Sequence, residues 1–224
     1  MHKKIYPIKG NIPHLCIILG IRPDVIRASI FLNLIRNDHR IKTTFVWSGQ
    51  HYSNNLKDIF FKELGVSNPE IELGATGNND AEVSSSIIAK LYPVLEKIKP
   101  DATMFLGDTN TVISCIAAAQ LNIPIVHFEG LMRSYDWRMP EEKYRGIIDH
   151  LSDVIYTYYP EYKKQGIDEG INPKSIVLVT NPIVDILQKY SIPVYSSNSN
   201  IKGTTNIVKD GSIINLSFIN IDVI

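Results

Sequence analysis

The feature that most constrains this chain is a repeated alternation of short apolar runs with amphipathic stretches. "LCIILG" (15–20), "TTFVWSG" (43–49), "ATMFLG" (102–107), "PIVHFE" (124–129), "DVIYT" (153–157) and "SIVLVT" (175–180) have the length and β-branched content of buried strands. Helical patterns lie between them, over 23–37, 54–66, 81–100, about 110–121, 140–151 and from 160; "PIVDILQKY" forms a last one, ending near 190. In the first helix Ile26, Ile30, Phe31 and Leu34 share a face, and Pro23 sits in the first turn, where a missing N–H is harmless. Gly65 is the expected stop of the second helix, and Pro93 is expected to kink or break the third. Strands apolar throughout and flanked by helices imply a parallel sheet covered on both faces. With right-handed crossovers this is an α/β doubly wound, Rossmann-like sheet. The pattern covers 14–190. Residues 191–224 hold a Ser/Asn/Gly/Thr-rich linker and one apolar segment, with no second set of βα units.

Composition excludes several function classes. Lys+Arg and Asp+Glu stand at 23 each, so no net field attracts nucleic acid or an anionic membrane. No run approaches the roughly 18 apolar residues of a membrane span. The basic start, "MHKKIYPIKGNIPH", is not followed by a signal-type apolar stretch. Cys16 and Cys115 lie in apolar contexts and read as buried free thiols, which suits a reducing, cytoplasmic setting. Two distant cysteines without paired histidines do not make a zinc site, so no metal is expected.

Ligands of such sheets sit beyond the carboxyl ends of the strands, so the residues just after each apolar run are candidates. Arg22, in "GIRPD" (20–24), lies at a helix N-terminus whose free N–H groups and partial positive charge suit an anion. A solvated turn is the plain alternative. Gln50 and His51, in "SGQHYSNN" (48–55), offer neutral hydrogen-bonding groups for sugar hydroxyls or an amide, or are ordinary loop residues. In "LGDTNT" (106–111), Gly107 permits close backbone approach. Asp108 either caps the next helix, with Thr109 and Asn110 as rivals, or does chemistry. After "PIVHFE" the chain crowds Glu129, Arg133, Asp136, Arg138, Glu141, Glu142 and Arg145 together with Tyr135, Trp137 and Met139. Apolar groups among such charges suggest a loop packed into a cleft, where carboxylates acquire perturbed pKa values.

"GIRPD", "SGQHYSNNL", "GDTNT", "HFEGLMRSYDWRMPEEKYRGIIDHLSD" and "NPIVDIL" occur in that order between about residues 14 and 190. Together they resemble the non-hydrolysing UDP-N-acetylglucosamine 2-epimerase family. The resemblance implies two Rossmann-like domains in the GT-B arrangement, with the active site in the cleft between them. It implies interconversion of UDP-N-acetylglucosamine and UDP-N-acetylmannosamine without metal, nicotinamide or other cofactor. The implied route eliminates UDP across C1–C2 and adds it back with protonation on the other face. That route needs an acid/base group near each face of C2 and cations for the departing UDP. By position, Asp108, Glu129 and Glu141 match the catalytic acids and Arg22 matches the arginine after the first strand. Gln50 and His51 match a sugar- or effector-binding segment, and Arg133, in the same active-site loop as the acids, is expected to bind substrate. The implied partners are a UDP-sugar and a second-domain polypeptide or a homodimer. The implied pathway is surface-polysaccharide synthesis.

Departures from the family pattern carry expectations of their own. Where the family usually reads Glu-Ala-Gly, this chain has Glu129-Gly130-Leu131, and a leucine at positive φ would be strained. Thr180 replaces a glycine before Asn-Pro, and Asp24 replaces a glutamate. The family's second domain would begin soon after 190, so 191–224 is read as a divergent tail with that domain absent. The expected function is therefore a 2-epimerase half that needs a second domain and is nearly inactive alone. The alternatives are a non-enzymatic remnant or UDP-sugar-binding module, and a GT-B glycosyltransferase fragment. "MPEE" and "GDTNT" argue against the last.

Overall fold

The computed structural model describes residues 12–49, 61–189, 206–209 and 212–215. The chain divides into two compact units, Met1–Thr180 and Asn181–Ile224. In the first unit β1 (His14–Leu19), β2 (Lys42–Trp47), β3 (Ile71–Glu72), β4 (Ala102–Leu106), β5 (Ile125–Phe128), β6 (Val154–Thr157) and β7 (Ile176–Leu178) form one sheet in the order β3-β2-β1-β4-β5-β6-β7. Every pairing is parallel. The helices are α1 (Arg22–Arg36), α2 (Asp80–Ile98), α3 (Asn110–Ile113), α4 (Cys115–Gln120), α5 (Pro140–Leu151) and α6 (Pro160–Asp168).

Alternation along the strands sorts the core into two layers. Cys16, Ile18, Val46 and Phe105 face one way and pack with Ile87, Leu91 and Leu95 of α2, Cys115 of α4 and Ile148 of α5. Ile17 and Leu19, equally buried, face the other way. Phe31 of α1 stacks on Phe128 of β5, with ring centroids 5.4 Å apart. The sheet is thus doubly wound. Its strand order reverses between β1 and β4, which opens a crevice at their carboxyl ends.

Local details correct the sequence pattern in four places. The buried face of α1 is Val25, Ala28, Ser29 and Leu32, not Ile26, Ile30, Phe31 and Leu34, and Leu34 is exposed. Both series have helical spacing; Ile26, Ile30 and Phe31 are half-buried, and Phe31 still reaches the sheet through Phe128. α2 runs through Pro93 unbroken. Pro93 is exposed, so water can serve the backbone carbonyl it leaves unpaired. The expected helix over 110–121 is interrupted at Ser114, whose Oγ donates to Thr111 O at 2.6 Å in competition with the helical ladder. β3 was not expected; at two residues it is too short to carry a periodic signal. Gly65 does take the left-handed stop conformation, with φ +64°.

The second unit contains α7 (Pro182–Lys189) and an antiparallel pair, β8 (Asn206–Lys209) with β9 (Ser212–Asn215). The last expected helix therefore falls in this unit, and the apolar segment of the tail supplies two strands. No helix among the described residues is long and apolar enough to cross a membrane.

Candidate active site

Glu129 follows β5 directly, with its backbone in the left-handed region at φ +74°. The N–H groups of Glu129 and Gly130 both donate to Tyr156 O at 3.0 Å, which ties this turn to β6. The carboxylate is bracketed. Arg27 Nη1 pairs with Oε1, and Tyr158 Oη donates to Oε2 at 3.1 Å. Arg27 reaches across from α1 and lies over Gly107, where a Cβ would stand 3.0 Å from Arg27 Nη2. Gly107 has φ +76°, a conformation that favours glycine, and the guanidinium passes close over it.

Arg27 is held from behind by Asp24, at 2.9 Å. Asp24 is buried and also accepts from Gly20 N and Ile21 N, each at 3.3 Å. The N–H groups that would have made an anion site beside Arg22 thus face a carboxylate of the chain itself. Arg22 opens α1 and is half-buried. Burial pushes the Asp24 carboxyl up to about 6, against Arg27 and the two N–H groups. Burial also opposes the charge on Arg27, but Glu129 and Asp24 together hold it above the ordinary arginine value. These opposite outcomes fit one picture: Arg27 divides its charge between two carboxylates, so Asp24 recovers only part of its desolvation cost. Burial, and then Glu129, push Tyr158 above the usual phenol range, so it remains a neutral donor.

Asp108 does not cap α3; Thr109 is the N-cap residue, without a side-chain cap bond. The Asp108 carboxylate pairs with Arg145 of α5. Arg145 in turn pairs with Glu142 at 3.2 Å. Arg145 Nε and Thr109 Oγ1 are buried without a hydrogen-bond partner in the structure. Asp108 also lies within electrostatic reach of Arg27, so Asp108 and Glu129 occupy the same edge of the sheet. Glu142 folds back on the preceding loop, accepting from Ser134 N and Oγ at 2.9 Å and Tyr135 N at 3.0 Å. Burial opposes its charge, but these donors and Arg145 hold its carboxyl below the usual range. Glu141, on the same first turn of α5, is half-buried, and no hydrogen bond or ion pair ties it to another described residue.

Arg133 has a different surrounding from the one expected of a substrate contact. Its side chain is 6% exposed, and each guanidinium nitrogen donates to a partner within the chain. Nη1 donates to Asp149 Oδ2 at 2.7 Å and to Met132 O at 2.9 Å; Nε and Nη2 donate to the two Glu169 oxygens at 3.1 and 2.7 Å. Asp149, buried, also meets His127 Nδ1 at 2.7 Å, and His127 Nε2 donates to Gly107 O at 2.8 Å. Burial opposes the charge on Asp149, while His127 and Arg133 hold its carboxyl below the usual range. This buried chain links β4, β5, α5 and α6 behind the candidate acids. Gln50 and His51 lie outside the described residues.

Sequence reasoning noted Asp24, Glu142 and Arg145 without giving them a site role, and missed Arg27, Asp149 and Tyr158. A signal existed for two pairs: Asp24–Arg27 and Glu142–Arg145 are each acid and arginine at i,i+3 near a helix start. Among the described residues no group of three or more His, Cys, Asp or Glu side chains is arranged to hold a metal ion. A shallow depression of about 360 Å³ between Tyr135 and α6 is lined by none of the expected site residues.

Comparison with known proteins bears on this edge. A family profile described as UDP-N-acetylglucosamine 2-epimerase matches residues 33–216. The UDP-N-acetylglucosamine 2-epimerase of Methanocaldococcus jannaschii is 34% identical over 195 residues, covering 87% of this chain and 53% of the relative. The UDP-2,3-diacetamido-2,3-dideoxy-D-glucuronate 2-epimerase of Pseudomonas aeruginosa is 34% identical over 140 residues, covering 62% of this chain and 40% of the relative. The crystal structure of the M. jannaschii UDP-GlcNAc 2-epimerase in complex with UDP-GlcNAc and UDP superposes with a TM-score of 0.75 at 34% identity, over 80% of this chain and 51% of that one. The chain thus spans about half the length of the curated relatives it matches.

Proposed function

The chain belongs to the UDP-N-acetylglucosamine 2-epimerase family, and from that premise we propose that its carboxyl-edge acids carry the C2 chemistry of a UDP-sugar 2-epimerase. The substrate is UDP-N-acetylglucosamine. The two relatives named above act on UDP-sugars and are both 2-epimerases, which supports C2 as the reacting centre. One observation carries the reading: Glu129 and Asp108 share the crevice edge, each paired with an arginine that a second carboxylate anchors from behind.

The chemistry follows from that pairing. One carboxylate takes the proton from C2; the C–H electrons form the C1–C2 double bond, and the C1–O bond breaks with its electrons on UDP. The second carboxylic acid then protonates C2 from the opposite face as UDP returns to C1. Glu129, Asp108 and Glu141 are the candidates for these two roles. The diphosphate, being anionic, competes for Arg27 and Arg145. As it draws them, the carboxylates they neutralise become available as bases, and the guanidiniums stabilise the departing UDP. Arg22 adds a further cation at the same edge, and we assign Gln50 and His51, by their place in the sequence, to binding the sugar or an effector. Arg133 acts by holding the loop through Asp149 and Glu169.

A dry cleft needs a second wall. We place that wall in a second Rossmann-like domain, supplied by a partner polypeptide or within a homodimer, in the cytoplasm. The decisive measurement is deuterium incorporation at C2 of UDP-N-acetylglucosamine in heavy water, followed by NMR. The 224 residues alone give negligible exchange, and adding the complementary half of the M. jannaschii relative restores it. Exchange by the chain alone refutes the need for a second wall. If the two halves associate and no exchange follows, the epimerase reading fails. Binding of the UDP-sugar without exchange would instead favour a binding module, a reading suggested by the neutralised state of both carboxylates.

A further inference from the structure

Two unfavourable local choices face each other across one contact behind Glu129. Leu131 has φ +70°, a region that disfavours any side chain with a Cβ. Gly166 sits within α6, where glycine is a poor helix former. The Leu131 side chain is fully buried among Ile155, Ile171 and Ile176, with Tyr162 packed against them. It lies directly on Gly166, where a Cβ would stand 2.7 Å from Leu131 Cδ1 and 2.8 Å from Cδ2. The side chain that Gly166 lacks is the space that Leu131 fills.

The same contact fixes the turn that carries Glu129. Leu131 N donates to Asp149 Oδ2 at 3.1 Å, and Gln165, the neighbour of Gly166, donates through Nε2 to Leu131 O at 3.0 Å. Gly130 has no slack: a Cβ there would stand 2.4 Å from Ile155 Cγ2 and 2.6 Å from Asp149 Oδ1. A turn pinned at Leu131 and packed tightly at Gly130 leaves Glu129 little freedom in how it departs from β5.

We propose that Leu131 and Gly166 are positioning residues for Glu129, with the leucine seated on the glycine so that the carboxylate is aimed between Arg27 and Tyr158. The catalytic meaning of this interlock rests on the epimerase reading; the mechanical coupling does not.

The test uses the 224-residue chain with ¹³C in the glutamate carboxyls and in tyrosine Cζ. Glu129→Gln and Tyr158→Phe assign the two reporter resonances. Gly166→Ala is expected to move both beyond their linewidths, because the new methyl displaces Leu131. Adding Leu131→Ala to Gly166→Ala returns both toward their original positions, since the shortened side chain admits that methyl. Gly146→Ala is the control, because nothing lies within 4 Å of a Cβ added there, and it leaves both in place. Unmoved reporters in a folded Gly166→Ala overturn the proposal. So do equal displacements with and without Leu131→Ala. If Gly166→Ala does not fold, Leu131→Ala alone decides: displaced or broadened reporters support the interlock, and unchanged ones overturn it. No turnover is measured, so failure of the epimerase reading and failure of the interlock are separate results.

Discussion

Asp24 is an ionisable group placed where burial opposes its charge and its partners favour it. Burial prevails, and the carboxyl is pushed up from the ordinary aspartate range to about 6. The folded state therefore holds this proton more tightly than the unfolded chain. The stabilisation linked to it is complete below about pH 4 and is lost as pH rises through about 6. A shift of this size corresponds to roughly 3 kcal/mol. In urea unfolding, the stability of the parent chain relative to Asp24→Asn should fall by up to that amount between pH 4 and 7. A constant offset across the range would show that Asp24 is not the source. Arg27 was invisible as a site residue because its partner Glu129 is 102 positions away in sequence. Only its local pairing with Asp24 was written in the helix.

At the scale of elements, the ends and joints carry the exposed weaknesses. α2 ends at Lys99 in the left-handed conformation, with φ 45° and ψ 60°, and Lys99 N closes onto Leu95 O. Glycine is the natural residue for this position. Lys99→Gly should raise stability by about 0.5–1 kcal/mol, read as a higher urea midpoint at unchanged slope. Arg133 joins the loop after β5 to α5 and α6 through Asp149 and Glu169. Arg133→Ala leaves Asp149 buried with less compensation, and should cost about 3–5 kcal/mol in the same measurement. A stable Arg133→Ala chain that has lost UDP affinity would return Arg133 to the substrate-binding role its sequence position suggested. The α1 face was misread for a related reason: periodicity marks two possible stripes, and burial against the sheet falls on the one with Val25, Ala28, Ser29 and Leu32.

At the scale of the whole molecule, the first unit gathers paired carboxylates at the carboxyl edge of one parallel sheet. Asp108 and Glu129 stand there paired with anchored arginines, and the chain spans about half the length of the relatives it matches. In the enzyme reconstituted from two halves, Glu129→Gln and Asp108→Asn should each lower C2 exchange by roughly 10²–10⁴-fold while UDP binding persists. Loss of UDP binding in step with exchange would make these residues part of the binding surface rather than the acid/base pair. Combined with Gly166→Ala, the same assay would show whether a misaimed Glu129 behaves like an absent one.

The sequence by itself determined the layered α/β fold and placed Asp108 and Glu129 just past the ends of their strands. Both are local or periodic properties: strands are written by runs of apolar residues, and strand ends follow from them. The strained backbone at Leu131 was legible only against the family's pattern, which usually has glycine there; the structure gives that leucine a positive φ. Only the tertiary structure decided which charges neutralise which. Arg27 meets Glu129 and Arg145 meets Asp108 because the sheet brings β1, β4 and β5 side by side. Likewise Leu131 is tolerated because α6 offers a glycine 35 positions later, and Arg133 turns inward because Asp149 and Glu169 wait there. Such pairings depend on distances across the folded sheet, and no short-range pattern in a single chain encodes them.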